Sequence, residues 1–401
     1  MGKQSPWMNT RVPSAPEGEL FPASVERDFR VCRIQNQLVR VWGAEGRRVS
    51  SEVIAALRPV TKVLRSELPY ALMPDFHPAD YGVVGSVIPS EELIVPALIG
   101  SDAGCGVSAH RLGRIVLPDP SELQALYEAI AHRVPAGSNE HRTRPREASD
   151  LPLWARLASL PFAKKFELSK LERQFGTLGG GNHFIELGQD ENDELWLMVH
   201  TGSRFLGGLL ARHYGKKTLV LGSDEALAFM RDQEVVLDYA AESRRAIARA
   251  VLALFPSVLH QQPKLEESIN LVHNFVSFES HEGRSIAVHR KGACRAREGE
   301  LGIIPGSMGT SSFIVRGRGS SESYASSSHG AGRVLARGQA FRTLRPNDLQ
   351  RDMKGIIWSG SDKLRDESPR AYKDIHHVMK AQRDLVGQVH TLRPLLSVKG
   401  E

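Results

Sequence analysis

The chain has 401 residues, of which 41% are hydrophobic and 24% charged, a composition typical of globular proteins that excludes a disordered chain. Its net charge of +6 indicates a surface that attracts polyanions, among which nucleic acid is the commonest, although a basic enzyme with another substrate fits the charge equally well. Because no Pro/Ser/Gly linker separates two compositionally distinct halves, we expect one large domain over residues 1–401, with the first ~25 residues peripheral.

Cysteine usage and apolar runs indicate the compartment. Cys32, Cys105 and Cys294 are odd in number and far apart, which argues against a disulfide framework and favours a reducing compartment, the cytoplasm. The N-terminus lacks the apolar core of a signal peptide, and no stretch approaches the apolar length that spans a bilayer. We therefore expect no membrane association.

The first half of the chain contains both strand and helix patterns. Residues 29–43 alternate apolar and polar positions with β-branched residues, which predicts strands joined by a turn near Asn36. Residues 50–66 are predicted to be helical despite Pro59. A second helix is predicted from Asp119 to about Val134, with Ser121 and Gln124 as a capping box.

The second half adds a long helix and several short strands. Apolar residues recur every three or four positions from residue 223 to about 255, which predicts one long helix or two in succession. A last helix is predicted over residues 372–389, and strands over residues 195–199, 285–288 and 302–304. Residues 136–150 and 316–328 are predicted to be mobile loops, the first solvated surface and the second closing over a site. We expect an α+β fold, mixed sheets flanked by helices, with function at the strand ends around a central cleft.

Thiol, carboxylate and imidazole side chains occur in glycine-rich segments. Asp102 and Cys105 lie three residues apart in GSDAGCG, which suits a metal corner, although a buried structural cysteine beside a turn is commoner. GGGNHFIE carries His183, and His200 follows 17 residues later in VHTGSR. A lone histidine in such places is more often a core hydrogen-bonding group, but the glycine-rich context at both favours convergence on one ion.

Four later segments add a further imidazole, ligands for anions and one sterically open imidazole. His273 lies in an apolar stretch, where its ring needs a partner or a metal to offset desolvation. VHRKGACR offers cations for phosphates, and PGSMGTSS offers backbone N–H groups and hydroxyls. His329 is flanked by Ser328 and by small residues in SSSHGAGR, so its ring is open to a bulky electrophile and its neutral nitrogen is able to attack phosphorus. No Walker A pattern occurs, which disfavours a P-loop NTPase.

Taken together, these segments resemble one family. MPDFH, the Asp-x-x-Cys-Gly of residues 102–106, GGGNHFIE, HTGSR, His273-Asn274, HRKGA, PGSMG, HGAGR and the terminal Lys399-Gly400 occur in the order typical of RtcB RNA ligases. The resemblance extends from about Met73 to the C-terminus. Each motif alone is weak, and the ordered set is specific.

The resemblance implies a GTP- and manganese-dependent ligase that joins RNA ends carrying a 2′,3′-cyclic phosphate or 3′-phosphate to 5′-hydroxyl ends. His329 attacks the α-phosphate of GTP and carries GMP. Two Mn²⁺ ions share the Cys105 thiolate, with Asp102 and His183 on one side and His200 and His273 on the other. The ligand types alone favour zinc, whereas the resemblance implies manganese.

The resemblance also implies contacts to GTP and RNA. The residues implied at the nucleotide are Asn182, Phe184, Ile185, Glu186, Asn274, Pro305, Gly306, Ser307, Met308, Ser312, Gly330, Ala331, Gly332 and Lys399. Those implied at the RNA, or else in support of the site, are His289, Arg290, Lys291 and Arg295. The partners implied are broken tRNA or rRNA and GTP, and an activating protein is compatible with the scheme.

The chain departs from the usual family pattern at Pro78 to Tyr81, at Ser108 and at Cys294. These departures concern substrate preference, so a divergent paralogue in RNA repair is indicated at least as well as a tRNA-splicing enzyme. Two other functions remain open on the residues alone. One is a metal-dependent phosphodiesterase or phosphatase acting on RNA ends without ligation, and the other is a non-catalytic module that binds RNA ends.

Overall fold

The computed structural model describes residues 16–23, 28–145 and 151–400. The expectation of a peripheral N-terminal segment falls mostly outside these residues, as does the part of the predicted 136–150 loop from residue 146 onward. The fold is α+β, as expected, with sheets and helices packed around shared cores.

The strands, in chain order, are β1 (Phe21–Pro22), β2 (Phe29–Ile34), β3 (Gln37–Trp42), β4 (Tyr70–Pro78), β5 (Val83–Ser90), β6 (Leu93–Ile94), β7 (Gly106–Arg111), β8 (Phe184–Gln189), β9 (Leu195–Thr201), β10 (Leu219–Val220), β11 (Glu267–Val272), β12 (Asn274–His281), β13 (Arg284–Lys291), β14 (Ala293–Arg295), β15 (Leu301–Ile304), β16 (Ser312–Gly317), β17 (Ser326–Ser328) and β18 (Val386–Lys399). The α-helices are α1 (Ser51–Val63), α2 (Pro120–Arg133), α3 (Leu153–Ala158), α4 (Lys165–Gln174), α5 (Phe205–Tyr214), α6 (Asp224–Leu252), α7 (Phe255–Val258), α8 (Arg337–Thr343), α9 (Pro346–Asp352) and α10 (Ile375–Lys380).

Two seven-stranded sheets dominate the described residues. The first has the order β1-β2-β3-β4-β5-β13-β12 and the second β11-β7-β9-β8-β18-β16-β15. Neighbouring strands are antiparallel except for β3 and β4, which run parallel. The chain crosses from the second sheet to the first at His273, the residue between β11 and β12. A ligand-bearing side chain therefore lies at the junction of the sheets.

Apolar side chains from both sheets share one core. Val87 and Val288 of the first sheet pack in the same cluster as Phe313 and Val315 of the second. Helix α1 covers the other face of the first sheet, and α2 and α6 pack on the second. Burial of these faces is the main source of stability for such layered folds.

The helices with clear periodicity follow the sequence expectation. In α1, the Ser50 hydroxyl accepts from the Val53 N–H, and the apolar side chains one turn apart are buried despite Pro59. Helix α6 spans 29 residues in one piece and is followed by the short α7. The capping box of α2 was assigned to the wrong pair, because Asp119 is the N-cap and Glu122 completes the box. None of the helices in the described ranges is long and apolar enough to cross a membrane.

Two predictions near the C-terminus are wrong. The helix predicted over residues 372–389 is only the short α10, and the following residues form the 14-residue strand β18. This strand lies between β8 and β16 and is irregular between Pro394 and Leu396, so distant partners override its local helical pattern. The 316–328 segment is not a mobile loop either, because β17 is fully buried and its Ser328 N–H donates to the Gln382 side chain.

Candidate functional site

A cavity of about 550 Å³ opens where the ends of several strands meet at the junction of the two sheets. It is lined by the five expected metal ligands, Asp102, Cys105, His183, His200 and His273, and by His329. Of the expected nucleotide contacts, it is also lined by Asn182, Phe184, Glu186, Asn274, Pro305, Gly306, Ser307, Met308, Ser312, Gly330, Ala331, Gly332 and Lys399. Segments far apart in the chain thus share one concave site.

One thiol and three imidazoles form a compact cluster in this cavity. The Cys105 Sγ lies 3.4 Å from His200 Nε2 and 3.6 Å from His183 Nε2, and the Nε2 atoms of His200 and His273 are 3.2 Å apart. Ligand atoms around one tetrahedral ion are spaced by roughly 3.3–3.6 Å, given bond lengths of about 2.0–2.3 Å. Cys105, His200 and His273 therefore have the spacing of ligands to a shared ion.

Hydrogen bonds direct the imidazole lone pairs toward this cluster. His183 Nδ1 donates to the Leu178 carbonyl at 2.9 Å and His200 Nδ1 to the Asn182 carbonyl at 3.2 Å, which leaves both Nε2 atoms unprotonated. Burial, aided by neighbouring cations, lowers the pKa of His183 to about 3, and burial holds the pKa of His200 and His273 well below the ordinary value. Neutral imidazoles are the form that binds metal.

The thiol needs a cation to ionise. Burial is the main reason why the pKa of Cys105 is raised to about 12, and Asp102 raises it further. A bound metal ion would offset this, since a coordinated thiol is deprotonated outright. Asp102 is exposed on a short turn at the same cavity, where a carboxylate would complete the donor set. The residues present therefore fit a divalent metal centre.

His329 is held by a buried carboxylate. Its Nδ1 lies 2.6 Å from Asp75 Oδ2, and the same oxygen accepts the His329 backbone N–H at 3.0 Å. Burial raises the pKa of Asp75, but His329 and Lys373 outweigh it and hold the pKa below its usual value. With Nδ1 donating to Asp75, Nε2 carries the free lone pair. The His329 ring centroid is 4.7 Å from that of His273, so the ring lies beside the metal cluster.

Two glycines allow this close packing. A Cβ at Gly292 would lie 3.1 Å from the His329 ring and 2.3 Å from the Val84 side chain, and a Cβ at Gly332 would lie 2.2 Å from the Asp75 carbonyl. Both residues also have positive φ angles, 61° and 76°, which favour glycine. Close packing against Asp75 thus explains why glycine occupies position 332 of the HGAGR motif.

A buried carboxylate, Glu367, binds three cations that line the cavity. It forms salt bridges with Lys399 Nζ at 2.6 Å, with Arg337 at 2.8 Å and with Arg333 at 3.2 Å, and it accepts from the Tyr372 hydroxyl. Burial raises the pKa of Glu367, yet the three cations outweigh it and lower the pKa overall. The wall remains net positive, which suits a polyanionic ligand.

Glu186 forms a separate polar position on the floor of the cavity. The residue is 3% exposed, and its carboxyl group lies 3.4 Å from the Ser312 hydroxyl. Burial raises its pKa to about 8 against the opposing effect of Lys399. The Phe184 ring lies nearby under Lys399. A buried acid with few internal partners is suited to hydrogen-bonding the edge of a ligand.

The remaining expected contacts do not line this cavity, with the exception of Lys291. Ile185 is fully buried in the core of the second sheet. His289 is 1% exposed and contacts the backbone of Val95 and Ile88, while Arg290 is fully buried and paired with Glu279. His289 and Arg290 are too deeply buried to contact RNA, which corrects that expectation. The other expected role, in support of the site, remains open to both residues. Arg295 is paired with Glu300 away from the cavity lining.

Several cavity residues were not singled out from the sequence. Arg204 and Arg333 end the motifs HTGSR and HGAGR, so their position after a predicted ligand was a usable signal. Asp75, which contacts His329 but does not itself line the cavity, lies in the motif MPDFH, and no role was predicted for it. Arg337 and Glu367 belong to no motif, and only their convergence in the fold reveals them.

Comparison with known proteins gives a consistent match. The model of the family described as tRNA-splicing ligase RtcB matches residues 57–400. The RNA-splicing ligase RtcB of Escherichia coli K12 is 36% identical over 93% of this chain and 100% of its own length. The RNA-splicing ligase RtcB2 of another Escherichia coli strain is 30% identical, covering 82% of this chain and 86% of that protein. The tRNA-splicing ligase RtcB of Nanoarchaeum equitans is 28% identical, covering 82% and 87% respectively.

Proposed function

Because this chain belongs to the RtcB family of RNA ligases, we propose that it is a GTP- and Mn²⁺-dependent ligase that joins 2′,3′-cyclic-phosphate or 3′-phosphate RNA ends to 5′-hydroxyl ends. The observation that carries the proposal is the position of His329. Its ring is outside the thiol and imidazole cluster, lies beside it, and is oriented by Asp75. This is the arrangement expected of a nucleophile next to metal-bound phosphates.

The first step forms a covalent bond between His329 and GMP. The Nε2 lone pair attacks the α-phosphorus of GTP, the Nε2–P bond forms, and the bond to the pyrophosphate oxygen breaks. Asp75 accepts the Nδ1 proton in a hydrogen bond and so stabilises the positive charge that develops on the ring. Pyrophosphate leaves with the electron pair of the broken bond.

Cys105, His200 and His273, with His183 and Asp102, would hold the metal. A bound divalent ion would neutralise charge on the triphosphate, as metals commonly do in nucleotidyl transfer. Manganese is proposed from the family, since a donor set of thiolate and imidazole by itself suits zinc better.

Guanine would be held by the floor and the Lys399 side of the cavity. Glu186 is placed to accept hydrogen bonds from the guanine edge, and Phe184 offers an apolar surface. Lys399, Ser307 and Ser312 add polar contacts around the ribose and phosphates. A carboxylate that accepts from guanine N–H groups disfavours adenine, which presents an acceptor at the corresponding ring nitrogen.

The later steps join the RNA. Water first opens a cyclic phosphate to a 3′-phosphate. An oxygen of this 3′-phosphate attacks the phosphorus of the His329-bound GMP, and the Nε2–P bond breaks. The 5′-hydroxyl oxygen then attacks the phosphorus of the activated 3′-phosphate and gives its proton to solvent. The bond from this phosphorus to the GMP oxygen breaks, and GMP leaves with the electron pair. Arg204, Arg333 and Arg337 line the cavity and would bind the phosphates of the two ends.

The proposal is tested by incubating the chain with GTP labelled at the α-phosphate in a metal series. We expect an acid-labile, base-stable protein–GMP adduct with Mn²⁺, and none in His329→Ala. His390→Ala is the matched control, because His390 pairs with Glu191 outside the cavity lining and should label normally. Labelling that persists in His329→Ala contradicts the assignment of the nucleophile.

The alternative is a metal-dependent phosphodiesterase that opens cyclic phosphates without ligation. It would use the same thiol and imidazole cluster but would need neither Glu186 nor Lys399. GTP-independent turnover of a 2′,3′-cyclic phosphate without joined product would favour it.

The three free cysteines support our further proposal that the protein works in the cytoplasm, in RNA repair or tRNA splicing.

A further inference from the structure

Arg244, on helix α6, is a fully buried cation that lies below the cavity rather than in its lining. Its Nη1 donates to the Gly104 carbonyl at 3.1 Å and to the Thr201 carbonyl at 2.8 Å. Its Nε donates to the Asn270 side chain at 2.8 Å, while Nη2 is buried without a hydrogen-bond partner. One guanidinium thus contacts three segments that are far apart in the chain, at Gly104, Thr201 and Asn270.

Each of these segments carries one member of the metal cluster. Gly104 directly precedes Cys105, and Thr201 directly follows His200. Asn270 lies three residues before His273 on strand β11. The segments that carry Cys105, His200 and His273 are therefore attached, by two backbone carbonyls and one side-chain amide, to a single side chain on a 29-residue helix.

We propose that Arg244 is a positioning residue that sets the mutual spacing of Cys105, His200 and His273 for metal binding. The inference rests on the proposed metal centre and not on the ligase chemistry. The guanidinium suits this task because it is planar and presents its N–H donors at fixed angles, so that two carbonyls and one amide are held in a constant relation. Lysine offers one flexible donor group in place of this fork.

The surrounding structure explains why the fold should survive loss of this contact. The His273 N–H donates to the Cys105 carbonyl, and the Gly104 N–H donates to the Asn274 carbonyl. Strands β7 and β9 pair Val107 with His200. These bonds connect the segments in pairs, whereas Arg244 is the group that contacts all three at once. Its removal should therefore loosen the cluster more than the fold.

Buried arginines are costly, and this one has no carboxylate among its described hydrogen-bond partners. Burial lowers its pKa to about 10, so it remains charged near neutral pH. A well-packed apolar side chain would serve the stability of the fold at lower cost. The presence of a cation here is better explained by the geometry that it imposes on the ligand segments.

The test is Co²⁺ titration of metal-depleted protein, followed by the visible absorption of the bound ion and by isothermal calorimetry. Arg244→Lys should weaken Co²⁺ binding by about 10- to 100-fold, as loss of groups that orient metal ligands generally does, and should change the visible spectrum. Asn270→Ala removes one of the three contacts at an exposed position and should weaken binding in the same direction by less.

Arg40→Lys is the matched control. Arg40 is 4% exposed and pairs with Glu322, a residue remote in sequence from the metal ligands. We expect Arg40→Lys to lower Tm while leaving the Co²⁺ affinity and spectrum unchanged. Equal losses of affinity in Arg40→Lys and Arg244→Lys would indicate general loosening and would overturn the proposal.

Unchanged affinity and spectrum in folded Arg244→Lys would also overturn it. Where Arg244→Lys does not fold, Asn270→Ala decides, because wild-type affinity and spectrum in that variant contradict the role of the contact. Wild-type protein that binds no Co²⁺ would overturn the metal centre and this inference together. Intact Co²⁺ binding without ligation would count against the proposed function alone.

Discussion

Replacement of Asp75 by asparagine tests how His329 is activated. The Asp75 Oδ2 accepts two hydrogen bonds from His329, one from the backbone N–H and one from Nδ1. Asparagine preserves the shape but removes the negative charge. If its amide oxygen keeps both contacts, two charge-assisted hydrogen bonds become neutral ones. If its NH₂ group faces Nδ1 instead, the ring proton moves to Nε2 and blocks the attacking atom.

The expected magnitude follows from the Nδ1 bond, because only this bond strengthens as positive charge develops on the ring. A charge-assisted hydrogen bond contributes about 1.5–3 kcal/mol and a neutral one about 0.5–1.5 kcal/mol, so the loss of transition-state stabilisation is about 1–1.5 kcal/mol. At about 1.4 kcal/mol per factor of ten, the rate of His329–GMP formation should fall roughly 5- to 12-fold. The change of tautomer would enlarge the loss.

The assay is a rapid-quench measurement of adduct formation in a single turnover, since the final extent of labelling can hide a slower rate. Asp28→Asn is the control, because Asp28 forms a salt bridge with the exposed Arg383 outside the cavity lining and should label at the wild-type rate. An Asp75→Asn variant that labels as fast as wild type, with Tm unchanged, would refute the role assigned to this carboxylate.

Three further variants test other parts of the site. Cys105→Ser should lose most of the bound metal and the sulfur-to-metal charge-transfer band of the Co²⁺ form, because a serine hydroxyl does not ionise as a cysteine thiol does. Metal analysis and visible absorption measure these two losses. A variant that binds the metal with unaltered affinity would contradict the role of Cys105 as a ligand. Lys399→Met should raise the GTP concentration for half-maximal labelling at least tenfold, because it removes a cation from the cavity wall, whereas Lys399→Arg should lose less. The pKa of Glu186 is raised to about 8, so the folded state holds an extra proton from pH 4.5 to about 8 and loses stability as pH rises through this window. The Tm of metal-free Glu186→Gln should therefore fall less than that of wild type over the same range, and parallel Tm curves would show that this carboxyl group is not shifted.

The local sequence pattern was sufficient to predict elements whose backbone hydrogen bonds form within the element or with its neighbour in the chain. Helices α1 and α6 were predicted from the sequence, and the structure shows buried residues at helical spacing in both and a serine that caps each N-terminus. Strands β2 and β3 pair with each other across the turn near Asn36, so their partner is also local. The residues that determine such an element lie within about thirty positions of one another in the sequence.

The C-terminal strand shows the opposite case. Residues 386–399 have no strong local preference for a strand, and their backbone hydrogen bonds go to β16 and β8, which lie far earlier in the chain. The helix predicted over residues 372–389 therefore overlapped the start of this strand, and the rest of the strand was not predicted. The buried 326–328 segment was predicted to be mobile for a related reason, since its serines are satisfied by distant groups such as Arg290 and Gln382.

Residue chemistry and motif order in the sequence were enough to determine the family, the candidate ligand types and the candidate nucleophile His329, because a thiol, a carboxylate and histidines in glycine-rich turns are visible one segment at a time. Only the tertiary structure decided that Asp75 holds a histidine 254 residues away, that Glu367 gathers three cations, and that Arg244 contacts three ligand-bearing segments. These contacts depend on which strand ends are buried together, and that burial is a property of the packed sheets rather than of any one segment.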